Sequence, residues 1–239
     1  MQPTNIRNWS EIIDKTSKVK SKTIKPDKNF RNHHIPPCSM ISVVGPTGSG
    51  KSNFLLEFLH LKNDSFYEIT VFIGSTADEK LYNFLKETMP DINFIDDVSQ
   101  LPNLDDYKED DKSIEKLIVF DDIINLKKKE LIELQKWFNS SRKYGFTAIV
   151  MVQNYTDEPI QMRRNTMIWI LFKLRDINQV KQVLKNHNTN GDDPEIVERA
   201  YQYATENKGQ FFKINLLNND PERYSKNFNQ WLPVSKKHS

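Results

Sequence analysis

Residues 40–52, MISVVGPTGSGKS, decide the fold of this chain. The first five, MISVV, are mostly apolar and have the length of a β-strand that is buried on both faces. The next eight match the pattern G-x-x-x-x-G-K-[ST] at every fixed position, and residues 51–61 then carry apolar side chains at helical spacing. A buried strand, a glycine-rich loop and a helix therefore follow one another in the order that a phosphate-binding loop requires.

This loop has a direct physical mechanism for holding a polyphosphate. Its glycines let the backbone wrap closely, so that consecutive N–H groups face one anion, and the helix that starts near Lys51 adds the positive end of its dipole. Lys51 is placed to reach the β- and γ-phosphate oxygens, and the Ser52 hydroxyl is placed to ligate Mg²⁺. The predicted nucleotide-binding residues are Gly45, Pro46, Thr47, Gly48, Ser49, Gly50, Lys51, Ser52 and Asn53. The sequence thus predicts a site for a nucleoside triphosphate.

Strand-length apolar runs alternate with helical patterns along the rest of the chain. The runs are 40–44, 69–74, 92–95, 117–120, 148–152, 167–172 and 211–216. Helices are predicted at 51–61 and 128–141, and Asp193-Pro194 supplies an N-cap and a first-turn proline for another. Such alternation, with strands that are apolar on both faces, predicts an α/β fold: a P-loop NTPase with a mostly parallel central sheet sandwiched between helices.

Two adjacent carboxylates, Asp121 and Asp122, end one of these strands and are called the acid pair below. They directly follow the apolar run 117–120, and open α/β sheets bind their ligands at the carboxyl ends of the strands. We assign Asp121 to the magnesium ion, together with Ser52, and Asp122 to polarising the water that attacks the phosphate. The alternative is that the acid pair only caps the helix that follows.

A third group of polar residues surrounds the next predicted strand. Arg142 follows a predicted helix, Gly145 marks a turn, and Gln153 stands at the end of strand 148–152. If this strand lies beside the one that ends in the acid pair, the Gln153 amide is placed to sense the γ-phosphate or to orient the attacking water. If the two strands are not neighbours, a glutamine at the end of a strand is weak evidence for a functional site.

Composition limits the classes to which the chain belongs. Of its 239 residues, 37% are hydrophobic and 28% charged, and its 14 Phe, 8 Tyr and 4 Trp are too many for a disordered chain. Because 34 basic and 32 acidic residues leave a net charge of only +2, a nucleic-acid partner needs a local patch or channel. The single cysteine, Cys38, excludes an intrachain disulfide and a cysteine-rich zinc site. No apolar run reaches the roughly 20 residues of a transmembrane helix, and the charges within residues 1–15 do not fit a secretory signal.

Residues 1–36 are predicted to form a basic N-terminal extension, followed by one P-loop ATPase domain at 37–239. The extension carries eight lysine and arginine residues against three acidic ones, and one short helix is expected around residues 9–13, which include Trp9, Ile12 and Ile13. Charge runs of this kind are usually solvated tails. The functional alternative is a strap across a neighbouring subunit or a contact with DNA phosphates.

The order of these motifs resembles that of the FtsK/HerA branch of P-loop ATPases. The shared features are the phosphate loop, the acid pair, Arg142-x-x-Gly145, and a strand that ends in Gln153. Within that branch, the chain is most similar to the genome-packaging ATPases of poxviruses, other large DNA viruses, virophages and Polinton-like elements. Further matches, which extend the resemblance over roughly residues 38–232, are Arg164, Asn165, strand 210–216, Asp220, Arg223, Phe228 and Trp231.

The resemblance implies a Mg²⁺-dependent, ATP-hydrolysing translocase that packages double-stranded viral DNA into a preformed capsid. It implies a homo-oligomeric ring, a pentamer or a hexamer, in which each subunit supplies an arginine to its neighbour's site, with capsid vertex proteins as further partners. Arg142 matches the position of that arginine, and Arg163 and Arg164 are its rivals. The resulting catalytic set is Lys51, Asp122, Arg142 and Gln153. The implied location is intracellular, in the host cytoplasm or a viral factory, with association with the virion as an extension.

Other classes of P-loop protein fit the same residues less well. A GTPase needs an N-K-x-D element near a late strand end, and KLRD at 173–176 is not one. A nucleotide kinase would use the phosphate loop and the basic pair Arg163-Arg164, but it leaves the group around Gln153 without a task. A non-catalytic scaffold needs neither the phosphate-loop lysine nor the acid pair. Another DNA-pumping or remodelling ATPase of the same branch is the main alternative.

Overall fold

In the computed structural model, the described residues are 24–62, 65–74, 79–89, 91–108, 114–187, 191–219 and 221–234. Within these ranges, nine strands form one sheet. They are β1 (Met40–Val44), β2 (Ile69–Ile73), β3 (Ile92–Ile95), β4 (Lys116–Asp121), β5 (Phe146–Val152), β6 (Ile168–Leu171), β7 (Phe212–Asn215), β8 (Tyr224–Lys226) and β9 (Gln230–Trp231). Their order across the sheet is β3-β2-β4-β5-β1-β6-β7-β8-β9.

Strand direction divides the sheet into two parts. From β3 through β2, β4, β5 and β1 to β6, neighbouring strands run parallel, whereas β7, β8 and β9 each run antiparallel to the strand before them. The helices are α1 (Phe30–His33), α2 (Lys51–Lys62), α3 (Glu79–Thr88), α4 (Lys128–Ser140), α5 (Ile160–Asn165), α6 (Ile177–His187) and α7 (Pro194–Ala204). None of these helices combines the length and the apolar composition that crossing a bilayer requires. The predicted α/β fold with a mostly parallel sheet is confirmed.

Helices cover both faces of the sheet, and alternate strand residues face two separate cores. On one face, Ile118 and Phe120 of β4 belong to a cluster that includes residues of α4, α6 and α7. On the other face, Leu117 and Val119 belong to a cluster with residues of α2 and α3. All four side chains are fully buried, as expected for a strand between two helical layers. The sheet is therefore sandwiched between helices, as predicted.

The two ends of the sheet depart from the sequence pattern. β3 lies at one end, and its Asn93 is exposed, so the prediction that every run is apolar on both faces is wrong there. An edge strand has a neighbour on one side only, which leaves part of it open to water. At the other end, β8 and β9 are not predicted by the pattern, because they are short and carry polar residues such as Ser225, Lys226 and Gln230.

Local sequence explains where the helices begin. The Asp193 side chain accepts a hydrogen bond from the Glu195 N–H at 3.0 Å, and Pro194 occupies the first turn of α7, which confirms the predicted helix start. At the start of α4, the Glu130 carboxylate accepts a hydrogen bond from the Lys127 N–H at 2.7 Å. The predicted helix at 128–141 is thus present and ends one residue earlier than expected.

The described end of the N-terminal extension packs on the rest of the chain. His33 in α1 is fully buried. The Asp27 carboxylate lies 3.0 Å from His33 Nε2 and 3.1 Å from Lys62 Nζ of α2, so this part of the extension is not a solvated tail. The helix predicted around residues 9–13 lies outside the described residues, and the domain boundary after residue 36 stays a prediction.

Candidate functional site

Three strands that lie side by side end in the polar residues singled out above. In the sheet, β5 lies between β1 and β4, as the interpretation of Gln153 requires. The phosphate loop (45–52) follows β1, Gln153 follows β5, and the acid pair lies at the end of β4. The Gly45 N–H donates a hydrogen bond to the Val152 carbonyl at 3.1 Å, which fixes the start of the loop against the end of β5.

These strand ends surround a cavity of about 660 Å³. Its lining residues are Thr47, Gly48, Gly50, Lys51, Ser52, Asn53, Asp121, Asp122, Met151, Gln153 and Lys208. The structure therefore brings together all predicted nucleotide-binding, metal-binding and catalytic residues except Gly45, Pro46, Ser49 and Arg142. Pro46 and Ser49 line a second cavity, which shares Thr47, Gly48 and Lys208 with the first. We call these two spaces the first and the second cavity.

The phosphate loop passes directly into α2. Gly50 has a φ of +118°, which L side chains rarely adopt, and a Cβ there would lie 3.0 Å from the Phe172 ring and 3.1 Å from Gly209 Cα. The Phe54 N–H donates a hydrogen bond to the Gly50 carbonyl at 2.9 Å, so the helical bonding starts within the loop. Because residues of the first turn of α2 line the first cavity, the positive end of the helix dipole lies beside it.

Lys51 is held next to its own loop. Its Nζ donates a hydrogen bond to the Gly45 carbonyl at 2.6 Å and lies 3.5 Å from the Pro46 carbonyl. Burial lowers the pKa of Lys51, and the carboxylates of Asp121 and Asp122 act in the opposite direction. The lysine thus lies between the loop carbonyls and the acid pair. The oxygens of a bound phosphate would compete with the loop carbonyls for its ammonium group.

Asp121 is the last residue of β4 and is almost fully buried. Its carboxylate accepts a hydrogen bond from the Tyr82 hydroxyl of α3 at 2.5 Å. Burial raises the pKa of Asp121, and the Tyr82 hydrogen bond and the Lys51 charge oppose that shift. Tyr82 is a site residue that the sequence did not reveal, since an aromatic residue in an amphipathic helix is typical of a core.

Asp122 adopts a left-handed backbone conformation at the end of β4, with φ 53° and ψ 58°. A Cβ on Gly74, at the end of β2, would lie 1.8 Å from the Asp122 carbonyl oxygen, so this turn requires a glycine beside it. Asp122 precedes a 3₁₀ turn but makes no side-chain capping bond, and its Oδ2 is buried without a hydrogen-bond partner. The helix-capping alternative is therefore wrong for Asp122.

The oxygen ligands at this edge fit a magnesium ion that is shared with phosphate oxygens. The Ser52 hydroxyl and the two carboxylates of the acid pair line the first cavity together, and hydroxyl and carboxylate oxygens are the ligands that Mg²⁺ prefers. The buried Oδ2 of Asp122 has no other partner. In the described part of the chain, no group of three or more His, Cys, Asp or Glu side chains that could hold a metal ion is found.

Arg142 lies at the amino ends of the parallel strands, which is the edge of the sheet opposite the first cavity. It belongs to the 3₁₀ turn Ser141–Tyr144, which precedes β5, and its side chain is exposed. The first cavity lies at the other end of β5, whose seven residues at about 3.3 Å each place Arg142 about 20 Å from it. The structure therefore separates Arg142 from the phosphate loop of its own chain.

Arg163 and Arg164, the other two candidates for the shared arginine, differ in their burial and contacts. The Arg163 guanidinium carbon lies 4.6 Å from the centre of the Tyr155 ring, and the side chain is partly buried, so it is engaged within its own chain. Arg164 is exposed. The neighbouring Asn165 donates a hydrogen bond to the Asn139 side chain in the last turn of α4 at 3.0 Å, which places Arg164 on the same side of the molecule as Arg142.

Comparison with known proteins identifies the type of domain. A family described as an AAA domain matches residues 36–158, about half of the chain. No curated protein sequence matches the chain. The family match covers β1, the phosphate loop, the acid pair, Arg142 and Gln153, which are the elements from which the resemblance was predicted.

Solved structures show the same fold at low sequence identity. B204, the DNA-packaging ATPase from Sulfolobus turreted icosahedral virus, is 14% identical with a TM-score of 0.54, over 83% of this chain and 99% of that chain. The genome-packaging NTPase B204 from Sulfolobus turreted icosahedral virus 2, in complex with AMPPCP, is 12% identical with a TM-score of 0.51, over 83% and 98%. The pCW3 conjugation coupling protein TcpA is 14% identical with a TM-score of 0.52, over 88% and 70%. The predicted resemblance to P-loop ATPases of this kind is confirmed.

Proposed function

The chain belongs to the AAA-domain family, and from that premise we propose that it is an ATP-hydrolysing motor that moves double-stranded DNA. This motor packages a viral genome into a preformed capsid. That the chain is a P-loop NTPase follows from the family match and the fold.

One observation carries the proposal. The phosphate loop, the acid pair and Gln153 lie around one cavity at the carboxyl ends of three adjacent strands, while the exposed Arg142 lies at the opposite edge. The first edge has the groups needed to bind a nucleotide and position a water. The second edge has an exposed arginine, which another copy of the chain can bring to the first edge.

The residues around the first cavity take separate roles in this proposal. Lys51 binds the β- and γ-phosphate oxygens in place of the loop carbonyls it now contacts. Ser52 and Asp121 hold Mg²⁺, which when bound offsets the charge of the phosphate oxygens. Asp122, with its unpartnered Oδ2, accepts a hydrogen bond from the attacking water and so orients it. The Gln153 amide lies between the phosphate loop and the acid pair, where it detects whether the γ-phosphate is present.

Arg142 acts in trans. Negative charge is spread over the phosphoryl oxygens in the transition state, and a planar guanidinium that is always charged stabilises it well. Since Arg142 lies about 20 Å from its own first cavity, it serves the cavity of a neighbouring subunit. Repeating this head-to-tail contact closes a ring, for which we propose five or six subunits.

Double-stranded DNA is the proposed substrate of the motor. Support comes from the fold shared with two viral packaging ATPases over nearly their whole length. In this form the protein works inside the host, in the cytoplasm or a viral factory, and docks on a capsid vertex. The shared fold with a conjugation coupling protein at a similar TM-score favours a second candidate, a DNA-moving ATPase that serves a process other than packaging.

A nucleotide kinase is less well supported. That alternative assigns the basic pair Arg163-Arg164 to the nucleotide, but neither residue lines the first cavity. Arg163 is packed against Tyr155, and Arg164 is exposed on the side of the molecule where Arg142 lies.

The test is the steady-state ATPase rate of the full chain, measured with and without duplex DNA at several protein concentrations. We expect the rate per chain to rise with concentration as shared sites assemble, and to rise again with duplex DNA. Lys51→Ala should abolish hydrolysis and weaken ATP binding with an unchanged melting temperature. Lys185→Ala, at an exposed position on α6, is the matched control and should behave as the wild type.

Two results would contradict the proposal. Normal turnover in Lys51→Ala would remove the phosphate loop from the reaction. A rate per chain that depends neither on concentration nor on DNA, in protein shown to be monomeric, would remove the shared site and the DNA substrate.

A further inference from the structure

The loop between α7 and β7, residues 205–210, lies at the nucleotide edge for a topological reason. β7 runs antiparallel to β6, so it begins at the edge of the sheet where the parallel strands end. The 205–210 loop directly precedes β7 and is therefore brought to the phosphate loop, although the two are far apart in the sequence.

Backbone contacts hold this loop in place. A Cβ on Gly50 would lie 3.1 Å from Gly209 Cα, so the phosphate loop and the 205–210 loop touch directly. The Gln210 N–H donates a hydrogen bond to the Asn207 carbonyl at 3.2 Å, which closes a turn around Lys208 and Gly209. Lys208 is thus carried by a short turn that rests on the phosphate loop.

The end of α7 is tied to the end of β6. The Tyr201 hydroxyl accepts a hydrogen bond from the Leu174 N–H at 2.8 Å and donates one to the Phe172 carbonyl at 3.1 Å. The Thr205 hydroxyl donates to the Tyr201 carbonyl at 2.9 Å. Since the Phe172 ring also packs near Gly50, these bonds fix the start of the 205–210 loop relative to the phosphate loop.

Lys208 lines both cavities. It lies on the wall of the first cavity with Lys51 and the acid pair, and on the wall of the second cavity, of about 610 Å³, with Lys173 and Arg175. Its side chain is exposed, so its ammonium group is available to a ligand. The second cavity has these three cations and one carboxylate, Glu206, on its walls, an excess of positive charge that favours an anionic ligand.

The direction of the bound nucleotide follows from the two cavities. The acid pair and Lys51 line the first cavity and not the second and, in the proposed function, take the γ-phosphate. The rest of the nucleotide then extends along the phosphate loop towards the second cavity, which shares Thr47 and Gly48 of the loop with the first. Lys208 stands between the two.

We propose that Lys208 binds the α- and β-phosphates of the nucleotide in its own subunit. The inference rests on the proposed nucleotide binding and adds a second cation from the same chain, contributed by the 205–210 loop. A lysine acts here as a point charge on phosphate oxygens, so it contributes to binding and is not required for the chemical step.

The test is nucleotide affinity, measured by titration calorimetry on the full chain with Mg·ATP and Mg·ADP. Lys208→Ala should weaken both nucleotides equally, by about tenfold, the effect expected when one charge-assisted hydrogen bond is lost. Lys208→Arg should restore most of the affinity, and Lys185→Ala should have no effect. Without nucleotide, all of these variants should melt as the wild type does, because both lysines are exposed.

The outcomes separate this inference from the proposed function. Wild-type affinity in Lys208→Ala, together with lost affinity in Lys51→Ala, would overturn the role of Lys208 and leave the proposed function intact. A loss confined to Mg·ATP would also overturn it, since Lys208 would then contact the γ-phosphate. Absence of nucleotide binding in the wild type would overturn both.

Discussion

At the scale of single residues, two carboxylates each have one buried oxygen without a hydrogen-bond partner, and the two oxygens differ in their surroundings. Asp122 Oδ2 and Glu158 Oε2 both lack a hydrogen-bond partner. Asp122 lines the first cavity, and in the proposed function the attacking water is its partner. Glu158 is fully buried, and its other oxygen accepts a hydrogen bond from the Ser42 hydroxyl at 2.8 Å. Burial raises the pKa of Glu158 to about 8, against the opposing effects of the Ser42 hydrogen bond and the Arg163 charge.

We expect Glu158→Gln to remove a pH dependence of stability. The carboxyl has its ordinary pKa of 4.5 when unfolded and about 8 when folded, so the folded state binds more protons between these values. The contribution of Glu158 to the free energy of unfolding is therefore greatest below pH 4.5 and falls as the pH rises to 8. Glutamine has the same shape, still accepts from Ser42, and does not ionise. At pH 7 the variant should be more stable by about 3 kcal/mol, as urea unfolding at a series of pH values would measure.

Glu87→Gln, at an exposed carboxylate in α3, is the control for this experiment. Its stability should follow the wild-type curve within about 0.5 kcal/mol at every pH. Parallel curves for Glu158→Gln and the wild type would show that Glu158 is not protonated in the folded state near neutral pH.

At the scale of helices and strands, the parallel part of the sheet is well predicted by the sequence. The inner strands are buried on both faces, and a run such as Val-Val at the end of β1 leaves few alternatives. The phosphate loop, the acid pair and Gln153 lie at the ends of such runs, so their positions in the sequence predict that they share one edge of the sheet. That Gln153 lies between the other two depends on the place of β5 between β1 and β4. The role of Arg142 rests on the resemblance and not on a contact within the chain, because in the proposed function its partner belongs to another subunit.

Other site residues depend on the order and direction of the strands, which the apolar pattern does not specify. Gly74 reaches Asp122 because β2 pairs with β4. Lys208 reaches the first cavity because β7 is antiparallel. Tyr82 reaches Asp121 from a helix that the pattern did not predict. Only Lys208 could have been found by a simple rule: the turn before a strand that runs antiparallel to its neighbour lies at the edge where the parallel strands end.

The hydrogen bonds of the Tyr201 hydroxyl connect α7 to the residues that follow β6. We expect Tyr201→Phe to lower the free energy of unfolding by about 1–2 kcal/mol, because it removes two buried hydrogen bonds and leaves the Leu174 N–H without its partner. Nucleotide affinity should fall a few-fold as the 205–210 loop loses its anchor. Urea unfolding and calorimetry measure the two effects.

Tyr203→Phe is the matched control, since Tyr203 lies on the same helix but is exposed. It should change the free energy of unfolding by less than about 0.5 kcal/mol and leave nucleotide affinity unaltered. Equal effects of the two substitutions would show that the Tyr201 hydroxyl does not position the loop.

At the scale of the whole molecule, the proposed function assigns two different parts of one active site to opposite edges of the chain. The edge with the phosphate loop and the acid pair faces one way, and the edge with Arg142 lies at the other end of β5. The described end of the N-terminal extension also lies at the Arg142 edge, where the Ile24 side chain approaches Gly145. A contact between the two edges of neighbouring chains would complete the site, and this is the central claim of the proposed function.

Mixing two inactive variants tests that claim most directly. Arg142→Ala should bind ATP almost normally yet hydrolyse it on the order of 10³-fold more slowly, while Arg164→Ala, at the exposed rival position, should keep most of the wild-type rate. Lys51→Ala should be inactive through its own phosphate loop. When Arg142→Ala and Lys51→Ala chains are mixed, some interfaces pair an intact phosphate loop with an intact arginine. We therefore predict that ATPase activity returns, with a maximum at intermediate ratios. No recovery at any ratio, in chains shown to co-assemble and also in a tethered dimer of the two variants, would contradict a site built from two subunits.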